Sequence, residues 1–573
     1  MIALPRELIG EISNSLDVGD AIELGKTNKQ LLTNLSKADF GYKVNHPIDL
    51  ITVFDLDAQE KCKRRQYILG NFKHIEITSL DDLTLLQTLQ LSPTYLTFGY
   101  HFNQSVDHLE LPSSLLHITF GFSFRQPVNY FQLPSSLTHL TFGTCFNHSV
   151  NDLILPKSLT HLTFGMTFNK PIDKLQLPLS LTHLTFGHNF DKSIDNLKLP
   201  QSLIHLTFGH HFNQPIDNLK LELQLALTHI EFGSDFNQPI DNINLPISLV
   251  HLKFGYYFNQ SIDNLKFPES LKHLAFGYHF NQSLDFLKLP KSLTHLAFGH
   301  NFNHSIDIDT LPQSLRHLKL GSIIKQPIKR LNLRHLSSLT YLKFGAYFNK
   351  SIDYLELPPS LKHLTFGRYF NQKVDKVKLP PLLKYLRFGY YFDQSVDHLK
   401  LPSLLKHLKF GDYFDQRIDN IKLPHSLTHI SFGNHFNQSV DKLKLPSSLT
   451  HLTFGDHFNQ RVDNNLKLPH SLKYIFFGEN FNKSINKLQL PPYLTHLTFG
   501  YHFNQSVDKL KLPDTLMYLT FGSKFNQPID NLKFSMLLKC LTFGNFYNKS
   551  KDYLISLSST MPLLIIRPPV SNI

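Results

Sequence analysis

Residues 142–163 read FGTCFNHSVNDLILPKSLTHLT, and close copies of this 22-residue phrase return along most of the chain. Aligning the copies on their Phe-Gly step puts 21 glycines in one column, from Gly99, Gly121 and Gly143 through to Gly500, Gly522 and Gly544. Of the 20 intervals between them, 17 are 22 residues long, two are 24 and one is 23. So regular a period marks a solenoid of stacked coils, each packing only on its neighbours. That architecture explains how 573 residues fold without one oversized core.

Two apolar patterns occur in each copy. Ile/Val-x-x-Leu-x-Leu is exemplified by Val106, Leu109 and Leu111, and Leu-x-x-Leu-x-Phe by Leu137, Leu140 and Phe142. Local alternation predicts a short strand for each, with one face inward. Pro112, Pro134 and Pro156 follow the first pattern and the glycines follow the second. Proline is excluded from a ladder interior and so marks a corner, and the glycines are read as corners that need positive φ. Two phenylalanine columns, Phe98, Phe120, Phe142 onward and Phe102, Phe124, Phe146 onward, take 39 of the 49 phenylalanines and are expected to stack in the core. The Asn103, Asn147, Asn169 column is expected to bond the loop backbone of neighbouring coils. Two-residue insertions near Leu221–Leu225 and Arg330–Leu336 predict local irregularities, and Leu320, Ile324, Lys325 and Lys329 depart from the pattern.

The pattern Leu-x-x-Leu-x-Phe-Gly-x-x-Phe-Asn-Gln resembles the FNIP repeat, most closely in FNQP at Phe212–Pro215, Phe236–Pro239 and Phe525–Pro528. The resemblance covers about residues 90–553. FNIP repeats are similar to leucine-rich repeats, which implies a mainly β, curved, parallel β-solenoid of about 21 coils.

Residues 1–40 lack the repeat. Leu8, Ile9, Ile12 and Leu16 share one helix face, and Pro5 suits a helix start. The run Leu4-Pro5-x-Glu7-Leu8-Ile9-x-Glu11-Ile12, with Leu16-Asp17, Asp20, Ile22, Leu24 and Thr27-Asn28-Lys29, resembles an F-box. That resemblance implies docking of a Skp-type adaptor of a cullin ubiquitin ligase through Leu4, Pro5, Leu8, Ile12 and Leu16. An F-box joined to FNIP repeats resembles an architecture of amoebae and the large DNA viruses that infect them. The bland alternative is a helical cap on the solenoid end. The expected organisation is an F-box-like segment at 1–40, a linker and N-terminal cap at 41–97, the solenoid at 98–553 and a C-terminal cap at 554–573.

The position before the second central leucine is histidine in 15 copies, including His117, His139, His161, His183, His205, His229 and His251, and tyrosine in five, among them Tyr341 and Tyr385. Alternation points it outward, and parallel strands about 5 Å apart would stack these rings. Stacking, a partner-binding surface and a metal site are the three readings. Zinc needs convergent ligands at about 2.0–2.3 Å, which a linear ladder does not offer. Beside it two outward columns vary: threonines early, then the cations Lys253, Lys272, Arg316, Lys319, Lys343, Lys362, Lys384, Arg387, Lys406 and Lys409. With a net charge of +12 and a pI near 9.2, this strip is the candidate target-binding surface for an acidic partner.

No nucleotide-binding loop, nucleophile motif or Cys-x-x-Cys is present, so neither catalysis nor a cofactor is expected. Three widely spaced cysteines fit reduced thiols and a cytoplasmic location, and no membrane span is expected. The sequence therefore predicts a non-enzymatic adaptor whose F-box docks a Skp/cullin ligase while the solenoid holds a target protein. A plain interaction scaffold is the alternative. Nucleic-acid binding is third, because the sequence pattern is read as lacking exposed aromatics interleaved with the cations.

Overall fold

The computed structural model describes residues 48–49, 73–79, 92–107, 109–285, 287–322, 332–462, 466–549, 553–554 and 565–567. The F-box-like residues Leu4, Pro5, Leu8, Ile12 and Leu16 lie outside them, as do Ile324, Lys325 and Lys329. The chain forms two compact units, residues 1–277 and 278–573.

Each coil contributes one short parallel strand, such as His139–Thr141 or His161–Thr163, paired in register with the next, so that His139 faces His161 and Leu140 faces Leu162. In the first unit this ladder runs from Ile48–Asp49 through His74–Ile77 and Tyr95–Phe98 to His273–Ala275. In the second it runs from His295–Ala297 to Ile565–Arg567, the last strand supplied by the expected C-terminal cap. The inward leucine is buried while the flanking residues are not.

The expectation of two strands per coil is corrected. Val150, Leu153 and Leu155 belong to no strand; Leu153 N–H bonds the Val150 carbonyl at 3.1 Å, closing a turn. Similar turns close from Phe146 N–H to Gly143 (3.1 Å) and from Leu159 N–H to Pro156 (3.1 Å). A coil is thus one strand and three tight turns, each turn aiming an apolar side chain inward: Phe146, Val150 with Leu153, and Leu159 are all buried.

The glycine column is also explained differently. Among the described glycines only Gly478 has positive φ, at 84°. What the others provide is room: a Cβ on Gly143 would lie 1.8 Å from the Gly121 carbonyl oxygen, and one on Gly255 1.8 Å from that of Gly233. Successive coils touch backbone to backbone here, and no side chain fits between them.

The two phenylalanine columns stack as expected. Phe142 and Phe164 have centroids 5.7 Å apart, Phe146 and Phe168 6.0 Å, and within one coil Phe142 meets Phe146 at 4.3 Å. The asparagine column forms a polar ladder: Asn147 Oδ1 accepts the Asn169 backbone N–H at 2.9 Å, and Asn169 Oδ1 accepts that of Asp191 at 3.0 Å. Only an acceptor is required, so Asp191 serves equally, receiving the Asn213 N–H at 3.0 Å. The following glutamine uses the same rung, Gln238 Nε2 donating to the Asn213 carbonyl at 2.9 Å. These ladders satisfy corner N–H groups that stacking removes from water. The insertion near Leu221–Leu225 is taken up by two short 3₁₀ helices, Asp217–Leu219 and Leu221–Leu223, hinged on Lys220 at φ 47°.

Candidate functional site

On the outward strand face of the first unit, the rings from Tyr95 to His273 form an unbroken stack. His117, His139, His161 and His183 follow one another with centroids 4.0 Å apart, and Tyr95 precedes them at 4.0 Å from His117. The column begins earlier than its repeat signature, at His74, whose ring lies 5.7 Å from Tyr95. Threonines beside the stack fix it: Thr160 Oγ1 lies 3.0 Å from the Thr138 carbonyl and 2.8 Å from His161 Nδ1. When the hydroxyl donates to that carbonyl, His161 donates its Nδ1–H to Oγ1.

Partial burial, followed by the neighbouring imidazoles, lowers the pKa of these rings, to about 4 for His183, His229 and His429. His183, His229 and His429 are therefore uncharged at neutral pH. A base whose folded pKa lies below its unfolded value binds more protons when unfolded, so stability rises with pH across the interval. We expect stability to be full above about pH 6.5, the unfolded value, and to fall as pH drops toward 4. Urea midpoints at stepped pH check this, and a flat midpoint over that window would contradict it.

In the second unit the same face changes character. Five strands carry it: His317–Lys319, Tyr341–Lys343, His363–Thr365, Tyr385–Arg387 and His407–Lys409. Register places Lys319 beside Lys343 and Arg387 beside Lys409, while Arg316, Lys362, Lys384 and Lys406 occupy the column on the other side of the rings. None of these eight cations forms an ion pair among the described residues. Burial, then the Lys319 and Arg387 charges, push the Lys343 ammonium below its ordinary value. Lys253 and Lys272 lie in the first unit, and Lys253 is already paired with Glu231.

Between the cation columns stand His317, Tyr341, His363, Tyr385 and His407, with centroids 5.5–6.2 Å apart. Aromatics therefore do interleave with the strip, contrary to the sequence expectation, because tyrosine replaces histidine in alternate coils here. Only His317 and Tyr341 are stacked; the other three contacts are tilted by 34–39°. A cleft of about 400 Å³ opens at one end, lined by Arg316, His317, Ser338, Thr340, Lys362 and His363. In it the Nδ1 atom of His317 is buried with no hydrogen-bond partner.

The paired residues after each glycine form a second edge. Tyr347, Tyr369, Tyr391 and Tyr413 stack at 4.8–4.9 Å, continuing through His435 at 4.3 Å and His457 at 4.6 Å. They lead into a groove of about 700 Å³ lined by His435, His457 and His502 and by the Asn437, Asn459 and Asn482 ladder. Burial and the Glu479 carboxylate raise the pKa of Asp456, whose neighbours also include Asp412. This acidic edge contrasts with the basic strand face. In the first unit the corresponding edge carries His188, His210 and His211, a cluster that the sequence reading passed over.

Comparison with known proteins follows this geometry. The family profile described as FNIP Repeat matches segments between residues 92 and 524, breaking at 222–225 and 334–336, where the insertions fall. The crystal structure of CroV588, described as a novel circular leucine-rich-repeat protein, is 40% identical to this chain. It covers 83% of this chain and 79% of its own, with a TM-score of 0.59. YopM from Yersinia enterocolitica WA-314 is 18% identical over 79% of this chain and 87% of its own, with a TM-score of 0.37. No curated protein matches significantly.

Proposed function

We infer that this chain, which belongs to the FNIP-repeat family, is a non-enzymatic capture scaffold that holds an acidic protein segment along the strand face of its second unit. One observation carries this reading: eight cations in five successive coils, without ion-pair partners among the described residues, flank a ladder of histidine and tyrosine rings. Like charges so placed repel one another, and an extended acidic segment relieves that repulsion while the ring edges accept its apolar parts. The partly desolvated Lys343 and the unpartnered His317 nitrogen add to this support. A nucleic-acid competitor separates a polypeptide ligand from a nucleic acid.

The finer part of the proposal concerns the ligase. Residues 1–40 resemble an F-box, and in this reading Leu4, Pro5, Leu8, Ile12 and Leu16 dock a Skp-type adaptor, so that the captured protein is brought to a cullin ligase for ubiquitination. The mechanism is proximity: the scaffold makes ubiquitin transfer effectively intramolecular without performing the chemistry. Replacing Leu8 and Ile12 together by aspartate in the full chain is expected to abolish pull-down of a purified Skp adaptor. Circular dichroism of the solenoid should stay unchanged. Failure of the unaltered chain to bind the adaptor would leave a scaffold unconnected to the ligase.

A further inference from the structure

The loop pairs that follow each glycine lie side by side in successive coils, so residues 22 to 24 apart in sequence become neighbours. Three such pairs in the first unit are His188-Asn189, His210-His211 and Ser234-Asp235. His188 and His210 stack with centroids 4.4 Å apart, His211 meets His188 edge-on at 4.9 Å, and one ring nitrogen from each histidine lies within 4.8 Å of the others. All three are exposed, so their rings turn without disturbing the core. Around a tetrahedral zinc with bonds of about 2.0–2.1 Å, ligand nitrogens sit roughly 3.4 Å apart. Closing to that distance needs the stacked His188 and His210 rings, now 13° from parallel, to rotate apart, which their exposure allows.

A second observation concerns the protons. His211 Nδ1 lies 2.6 Å from Asp235 Oδ2, and a carboxylate only accepts, so Nδ1 carries the hydrogen and the neutral ring keeps its lone pair on Nε2. His188 Nδ1 stands in the same relation to Asn189 Oδ1, at 3.0 Å. Asp235 also reaches His210, its Oδ1 lying 3.9 Å from Nδ1. A carboxylate donating orientation to a histidine that binds metal through its other nitrogen is a recurrent arrangement, and it raises the basicity of the ligand.

We propose that His188, His210 and His211 form a first-row transition-metal site, oriented by Asp235, that clamps adjacent coils of the solenoid edge and leaves a coordination position open. Imidazole donors suit zinc, copper, nickel and cobalt and not magnesium or calcium. Three protein ligands leave the fourth position to water or to a donor from a bound partner. The site differs from the long ring ladder on the strand face, where the stack runs in one direction and the donors do not converge. It stands independently of the capture function proposed above.

The test uses the full-length chain stripped of metal with a chelator and titrated with Zn²⁺ by calorimetry, with Mg²⁺ as the comparison ion. We expect one tight Zn²⁺ equivalent per chain and no Mg²⁺ binding. His210→Ala with His211→Ala should remove the tight equivalent, and Asp235→Asn should weaken it by about 10–100-fold. His435→Ala with His457→Ala, altering another pair of stacked loop histidines, should leave it intact. Co²⁺ loaded into the native chain should give the visible absorption of a low-coordinate nitrogen site, lost in the His210/His211 variant. Identical isotherms for that variant and the native chain, or loss of the equivalent in the His435/His457 variant, would overturn the proposal.

Discussion

Replacing Lys362, Lys384, Lys406 and Lys409 by glutamate is expected to lower affinity for an acidic polypeptide by at least about 100-fold, or roughly 2.7 kcal/mol. Single exposed ion pairs contribute only about 0.2–1 kcal/mol each. Reversal does more than remove four of them, because like charges facing across an interface cost several kcal/mol. Lys362, Lys384 and Lys406 are exposed and Lys409 is half-buried, so their replacement takes no apolar group from the core. The variant should therefore unfold at the native urea concentration while losing the probe. Reversing Lys157, Lys174, Lys198 and Lys220, which belong to the first unit and not to the strip, should change binding far less. Equal losses in both variants would show that overall charge, and not this face, attracts the ligand.

Phe370→Ala is expected to destabilise the second unit by about 3–5 kcal/mol. Phe370 is fully buried and meets Phe366 at 4.2 Å within its coil and Phe348 and Phe392 at 6.0 Å in the adjoining coils. Truncation leaves a cavity shared by three coils, each of which depends on its neighbours for most of its burial. In a quasi-one-dimensional array such a break also uncouples the parts on either side, so denaturant unfolding should split into two transitions. Phe546, 58% exposed, provides the comparison: its replacement by alanine should shift stability by no more than about 0.5 kcal/mol. A single unshifted transition for Phe370→Ala would mean that the phenylalanine columns do not govern stability.

Much of this molecule is visible in its repeat. The inward leucine of each strand, the two phenylalanine columns and the asparagine ladder follow from alternation and from residue chemistry, because each coil meets nearly the same environment as the next. The half of the coil around Val150–Leu153 was not legible as turns, since an apolar residue at every second or third position satisfies a tight turn as well as a strand. The glycine column was read correctly as a corner but for the wrong reason. A sequence does not show that Gly121 and Gly143 are pressed together, and only the stacked backbones reveal that space, not φ, selects the residue.

The candidate sites divide in the same way. The cation columns beside the ring ladder could be found by counting, as they recur at fixed positions in the repeat. The pairing of Lys253 with Glu231 could not, because Glu231 is the one carboxylate of its column between Thr97 and Thr542. The His188, His210 and His211 cluster belongs to the most variable pair in each coil. Its signal was present, a His-His pair one period after another histidine, and reading the loop pairs down the columns would have exposed it.

The most direct test of the central claim is the affinity of the native chain for a fluorescent poly-glutamate peptide, followed by anisotropy as salt is raised. Capture by the basic strand face predicts binding at low salt that weakens steeply as the Debye length shrinks from about 30 Å at 0.01 M to about 8 Å at 0.15 M. It also predicts little displacement by an equal charge concentration of single-stranded RNA. Absence of binding at low salt, or binding indifferent to salt, would contradict the account.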